Sequence, residues 1–372
     1  MKQSFILFLA LCLFSCSNEP SSFKGNKLNN KEIVFVDTIP LTGDSISFNG
    51  NFFMQNGRLV FADTYYRTLF FFDTADGKIV DKRLLMGHGH NEINSFMFAY
   101  PVKNSDDIFL LDSSVGLHLL GENGDIRSMG SINFQWDKVE KGNYESMSVY
   151  NIMEMSDFGF RISQINDTTL LLPLSLVWRN LDSSKEDCFK KAHNFGLLNT
   201  NTMEVEKVFG SYPKACIDNP SNLMDFFSYD MSGDTIYYNH ATDPLIYVYK
   251  YPNTLLYTFG YDAPDVDRNY TKGYNLDYAL MEKEISHVGI NTGINFVSET
   301  NMLFRTMLPG AQVGDFNYLQ AYQGNDLVAE TKVPNFFKFL GYSAGKYYGV
   351  CMAPQEDADG EEVYFLYAFE IK

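Results

Sequence analysis

Tryptophan is nearly absent, cysteine is scarce and long apolar runs are missing, and each shortage narrows what this chain can be. Only 2 Trp and 5 Cys occur among 372 residues. Cys12, Cys16, Cys188, Cys216 and Cys351 form no CxxC pair and no zinc or haem spacing, which excludes the dithiol-redox, zinc-ribbon and c-type haem classes. The one strongly apolar run, residues 5–14 (FILFLALCLF), is about half as long as a membrane-crossing helix requires. Basic residues are outnumbered, 29 Lys and Arg against 46 Asp and Glu, for a formal net charge of -17. A field of that sign repels phosphate backbones and anionic headgroups, so nucleic acid is not expected as a partner. Helical periodicity is confined to residues 143–156 and 276–285. P-loop, HExxH and the sialidase-type Asp box are missing, no catalytic residue is assigned and no cofactor is expected.

What is present begins with a leader. Lys2 precedes the apolar run, and the run ends in Leu13-Phe14-Ser15-Cys16, which resembles the bacterial lipobox. A small residue precedes the cysteine and an aliphatic one lies three before it; Phe14 is bulkier than that motif usually has. The expectation is a signal peptide over residues 1–15, lipidation at Cys16, a flexible Ser- and Asn-rich tether over 16–31, and one folded domain over 32–372. The alternative is an ordinary secretory signal cut elsewhere. The lipoprotein reading places the domain in the cell envelope, on the periplasmic or surface side of an outer membrane, with the lipid as its one membrane contact.

From residue 32 onward, short alternating strands are separated by tight turns. Aromatic residues make up 16% of the chain, led by 32 Phe and 24 Tyr, side chains suited to a pleated, half-buried surface. One unit of four strands recurs six times, its first copy punctuated by Asn56-Gly57 and Asp76-Gly77. Third strands start at Leu69, Leu117, Phe195, Ile246, Tyr318 and Tyr364, and three of the five intervals agree at roughly fifty residues, a four-stranded blade. The sixth unit lacks its fourth strand, while residues 33–39 are a spare one. An all-β, six-bladed propeller is therefore expected, closed by pairing of 33–39 with 364–371; a sandwich, the alternative, needs no six equivalent units.

The paired-hairpin blades, the turn FDTADGK, the leader and the stretch Gly87-His88-Gly89-His90-Asn91-Glu92 together resemble the bacterial TolB-like six-bladed propeller lipoproteins, many of which have Pro where this chain has His90. The resemblance spans residues 33–372 and implies fold and location; that family has no settled activity, so it implies no reaction.

In a meandering blade the first-to-second and third-to-fourth turns share one face, and the second-to-third loops and blade connections share the other. Here the first set is uniformly tight and the second holds every long segment, including 133–158 and 261–286. Binding residues concentrate on loops that a rigid scaffold displays, so the long-loop face is expected to bind a protein or glycan partner. Candidate contacts are His88, His90, Glu92, Trp136, Trp178, Tyr270 and Tyr274. The HxHxE order suits a transition metal, but a glycine-permitted turn bonding its own backbone is the expected role, and no metal is assigned. The tryptophans and tyrosines either stack on a ligand or pin their loops to the propeller rim. Residues 357–362 resemble part of a calcium loop and are read as a solvated hairpin. Cys188 and Cys216 lie in loops, where a disulfide and two separate thiols remain alternatives. A glycan-active hydrolase with a carboxylate pair at the channel mouth is the alternative function.

Overall fold

The structure, a computed structural model, describes residues 23–372 apart from 44–45, 86, 88, 90–91, 104, 154–160, 178–187, 219–225, 272–278, 280–282, 285, 311–313 and 358–359. Its strands build six antiparallel blades. The ring-closing strand β1 (Ile33–Pro40) is followed by blade one, β2 (Gly50–Gln55), β3 (Arg58–Asp63), β4 (Thr68–Phe72) and β5 (Ile79–Leu84). Blade two is β6 (Phe98–Pro101), β7 (Ile108–Leu111), β8 (Gly116–Leu120) and β9 (Ile126–Ser131). Blade three has β10 (Tyr150–Ile152), β11 (Ser163–Asn166), β12 (Thr169–Leu176), β13 (Phe195–Asn199) and β14 (Glu204–Phe209). Blade four has β15 (Phe227–Ser232), β16 (Thr235–His240), β17 (Ile246–Lys250) and β18 (Thr254–Phe259). Blade five has β19 (Ile290–Val297), β20 (Met302–Leu308), β21 (Phe316–Gln323) and β22 (Asp326–Pro334). Blade six has β23 (Phe337–Ser343), β24 (Lys346–Cys351) and β27 (Phe365–Ile371), after the small hairpin β25 (Gln355–Glu356) and β26 (Glu362–Val363).

The expected closure is present. Strand β1 pairs with β27 from Ile33 opposite Ile371 to Pro40 opposite Phe365, completing the sixth blade and covering its edge. Tight turns follow from their residues. Asn56 and Gly57 both take positive φ, 47° and 76°, the geometry of a two-residue hairpin whose twist matches its strands.

Apolar clusters fill the wedges between neighbouring blades. Phe52, Phe61 and Phe70 of blade one meet Tyr348 and Leu366 of blade six, and Phe304 and Leu319 of blade five meet Phe339 and Phe369. Strands flanked on both sides bury both faces, which is why β4 reads as the continuous run TLFFF. Buried amides cross between blades: Asn51 Nδ2 donates to Ala99 O at 2.9 Å, and Asn291 Nδ2 donates to His240 O at 2.7 Å.

Three expectations are corrected. Residues 143–153, the described part of the 143–156 helix candidate, are not a helix; they hold a 3-10 turn over Met147–Val149 and then β10. The pattern gives the inner strand of blade three as one run, whereas β10 and β11 each pair with part of β12. Residues 23–31 of the expected tether lie against the ring, because Phe23 and Lys27 form bridges to Thr258 and Leu327 on the outer strands of blades four and five. Phe23 packs edge-on to Tyr261 at 5.6 Å, and the Tyr261 hydroxyl donates to Gly25 O at 2.9 Å, so composition alone overstated the freedom of this segment. The second helix candidate, 276–285, and Cys16 lie largely or wholly outside the described residues.

Candidate functional site

The inner strands β2, β6, β19 and β23 end their sheets at the ring axis, and with Arg161 they enclose a cavity of about 740 Å³. That volume suits one small organic molecule. Two inner strands carry irregularities where they line it, since register shifts fall between Asn291 and Gly293 and between Phe339 and Gly341. Thr292 and Leu340, the extra residues, both belong to the cavity wall. Bulges at such places re-aim side chains and backbone.

The mouth opens on the long-loop face. Phe48, Asn49 and Phe336 lie in blade connections, and Thr64 and Ala353 in second-to-third loops; all line the cavity. Phe336 is 57% exposed and Phe48 44%, so both rings stand in solvent at the rim.

Deeper in the ring, Arg161 is held from behind. Its guanidinium pairs with Asp230, whose oxygens also accept the backbone N–H groups of Met231 and Phe296, each at 2.7 Å. Arg161 Nη2 donates to Asn295 Oδ1 at 2.6 Å, and the guanidinium carbon lies 5.7 Å from the centre of the Tyr100 ring. The Tyr229 hydroxyl donates to Arg161 O at 2.9 Å, fixing the backbone as well. Lys103 Nζ donates to Met231 O at 3.2 Å. Burial, and then repulsion from Arg161, hold the Lys103 pKa below the ordinary lysine value, with Glu299 opposing. On the wall, Asn317 is 2% exposed and its Oδ1 meets no hydrogen-bond partner among the described residues.

The residues singled out from sequence have diverse roles. Glu92 Oε2 accepts the Gly89 N–H at 2.6 Å, closing its own turn, and a Cβ at Gly87 would overlap that same oxygen. His88, His90, Trp178 and Tyr274 lie outside the described residues. Trp136 Nε1 donates to Tyr150 O at 2.9 Å and its ring stacks on Phe134 at 5.2 Å, leaving 39% of the residue exposed. The Tyr270 hydroxyl donates to Gly289 O and accepts from Arg268 Nη1 at 3.2 Å; Arg268 in turn grips Asp262 and Asn291, at 2.7 and 2.8 Å. Both aromatic residues therefore hold long loops onto the ring. Strands β25 and β26 pair as the expected hairpin, with Asp357 Oδ1 accepting the Glu361 N–H at 2.9 Å.

No disulfide joins Cys188 to Cys216; both are thiols. The Tyr144 hydroxyl donates to Cys188 Sγ at 3.1 Å, while Cys216 Sγ lies 3.0 Å from His240 Nδ1, so each sulfur is turned toward a different neighbour. The third, Cys351, is buried as expected, and burial pushes its thiol pKa up.

Among solved structures, the chain is similar to a member of the DUF4221 family from Bacteroides vulgatus, with a TM-score of 0.71 at 15% identity over 93% of this chain and 99% of that one. It is also similar to a Bacteroides fragilis protein, named an exported protein by inference, with a TM-score of 0.53 at 13% identity over 94% and 99% of the two chains. At such identities the likeness is one of fold. No family model matches the chain. No curated protein matches it in sequence.

Sequence reasoning did not find the cavity. Arg161, Asp230 and Asn295 come from blades three, four and five, and nothing in a linear pattern joins them. The available signal was chemical: an arginine, an aspartate and an asparagine, each beside or within a strand that the repeat assigns to the inner position.

Proposed function

We propose that this chain is an exported lipoprotein of the cell envelope, held to a membrane through Cys16, whose propeller acts as a binding module at the cavity mouth on the long-loop face. The observation that carries the reading is the coincidence of two features. The central cavity opens where Phe48, Thr64, Phe336 and Ala353 stand, and these belong to the loop set that also contains every long insertion. A rigid ring with tight turns on one face and elaborated loops around a cavity on the other fits recognition better than pure scaffolding. Export is supported by the leader and by the name of the Bacteroides fragilis neighbour. No helix among the described residues is long and apolar enough to cross a membrane. The hydrolase alternative calls for two carboxylates at the channel mouth, and the described lining residues include neither Asp nor Glu.

The test blocks one face at a time. Tyr65→Cys and Phe336→Cys place a reactive thiol on the long-loop face, and Glu122→Cys places one on the tight-turn face. Each variant is coupled to a maleimide-polyethylene glycol and used for capture from native membranes. Coupling at 65 or 336 should abolish capture, and coupling at 122 should leave it intact. Loss only on coupling at 122 overturns the reading.

A further inference from the structure

Little chain separates the lipid site from the ring. Seven residue steps lead from Cys16 to Phe23, and a chain of that length reaches at most about 25 Å. A compact domain of this size is roughly 50 Å across. A lipid at Cys16 therefore leaves the far rim of the ring, at blade one, out of reach of the membrane.

From Phe23 onward the chain is a belt laid around the rim from blade four to blade six. Lys24 N donates to Thr258 O at 2.8 Å, Leu28 N to Leu327 O at 2.9 Å and Lys31 N to Val328 O at 2.9 Å. Glu32 and Lys372 exchange two backbone bonds, each of 2.9 Å. Asn26 N and Nδ2 both donate to Asp326 Oδ1, at 2.6 and 2.9 Å. Gly25 takes a φ of 106°, and a Cβ there would overlap Asn325 O, so the belt passes this point only as glycine. These contacts fix where on the ring the segment from Cys16 arrives, which is the outer strand of blade four.

Apolar side chains stand in solvent around that point. Phe23 is 50% exposed, Leu28 48%, Leu255 37% and Leu256 43%. Leu255 and Leu256 precede Thr258 on β18, the strand that Phe23 bridges, and Leu28 follows the bridge from Lys27 to Leu327. The belt itself, residues 23–31, carries Lys24, Lys27 and Lys31 and no carboxylate, in a chain of net charge -17. Lys24 Nζ lies 4.5 Å from the centre of the Tyr257 ring, and Lys27 Nζ lies 3.8 Å from Glu330 Oε1. Leucine and phenylalanine interleaved with lysine suit a bilayer interface, with apolar groups directed inward and ammonium groups among the headgroups. Such a contact adds to an acyl anchor, since stable attachment draws on more than one signal.

We propose that the outer rim of blades four and five is a membrane-contact surface, resting on the headgroup layer through Phe23, Leu28, Leu255 and Leu256. The ring then stands on edge, and the cavity mouth opens along the membrane plane, where a partner can reach it. This rests on lipidation at Cys16 and gives the domain a membrane contact besides the lipid.

The test is photo-crosslinking to lipid in cells. Leu28→benzoylphenylalanine and Leu256→benzoylphenylalanine, irradiated on membrane-bound protein, should yield phospholipid adducts identified by mass spectrometry. Val80 is 52% exposed on the outer strand of blade one, opposite blade four in a ring of six, and Val80→benzoylphenylalanine should yield none. Equal yields from the three positions, or none from 28 and 256 on membrane-bound protein, overturn the rim contact and leave the anchor standing. Protein missing from the membrane fraction overturns the anchor instead. The rim is then decided on a chain beginning at Cys16 and coupled through that thiol to a maleimide-headgroup lipid, the other three thiols being buried. In vesicles of phosphatidylethanolamine and phosphatidylglycerol, adducts from 28 and 256 but not from 80 support the contact, and their absence overturns it.

Discussion

The Arg161 guanidinium is ion-paired to Asp230, and the same carboxylate accepts backbone N–H groups on both β15 and β19. One side chain thus ties blades three, four and five together beside the ring axis. Asp230→Ala removes the counter-ion and leaves Arg161 uncompensated. Both side chains are below one-fifth exposed, so the loss should be roughly 2–3 kcal/mol of unfolding free energy in urea. A change below about 0.5 kcal/mol would show that the pair contributes no more than a surface contact.

Tyr270 separates pinning from recognition. Its hydroxyl is engaged by Gly289 O and Arg268, so Tyr270→Phe should cost about 1 kcal/mol and leave membrane capture unchanged. Unchanged stability with reduced capture would instead place the ring in contact with the ligand.

The architecture was legible because its signals are local and repeated. Asn56-Gly57 specifies a hairpin wherever it stands, and a spare strand at the start answered a missing one at the end. Blade three blurred because its inner strand is split, and Tyr150 of β10 pairs opposite Leu176 while Ser163 of β11 pairs opposite Leu171. The cavity was invisible because its lining arises from ring closure, which brings Arg161 to Asn295 across 134 positions of sequence. Glu92 shows the opposite case, a residue whose turn role was readable from the flanking glycines.

The thiol count follows from the sulfur environments. A chain beginning at Phe23, denatured without reductant, should titrate as three thiols, from Cys188, Cys216 and Cys351. A count of one would restore the Cys188–Cys216 bridge.

His240 gives a pH dependence. Burial, reinforced by repulsion from Arg268, depresses its pKa to about 3. Thr242 N donates to Nδ1 at 3.4 Å, consistent with a neutral ring. An unfolded histidine titrates near about 6.5, so between these values the unfolded chain binds a proton that the folded chain refuses. The stability contributed by the neutral ring is complete above about pH 6.5 and declines as pH falls toward about 3, at up to ~1.4 kcal/mol per pH unit. Denaturant unfolding across that window should show the decline, and His240→Asn should flatten it. An identical slope in the variant would assign the acid sensitivity to other groups.

Recognition at the cavity mouth is tested most directly by photo-crosslinking in living cells. Phe336→benzoylphenylalanine and Phe48→benzoylphenylalanine place a photoreactive ring at the mouth, and Glu122→benzoylphenylalanine places one on the tight-turn face. Irradiation should yield a discrete adduct, identified by mass spectrometry, from positions 336 and 48 and none from 122. An adduct from 122 alone would contradict the account.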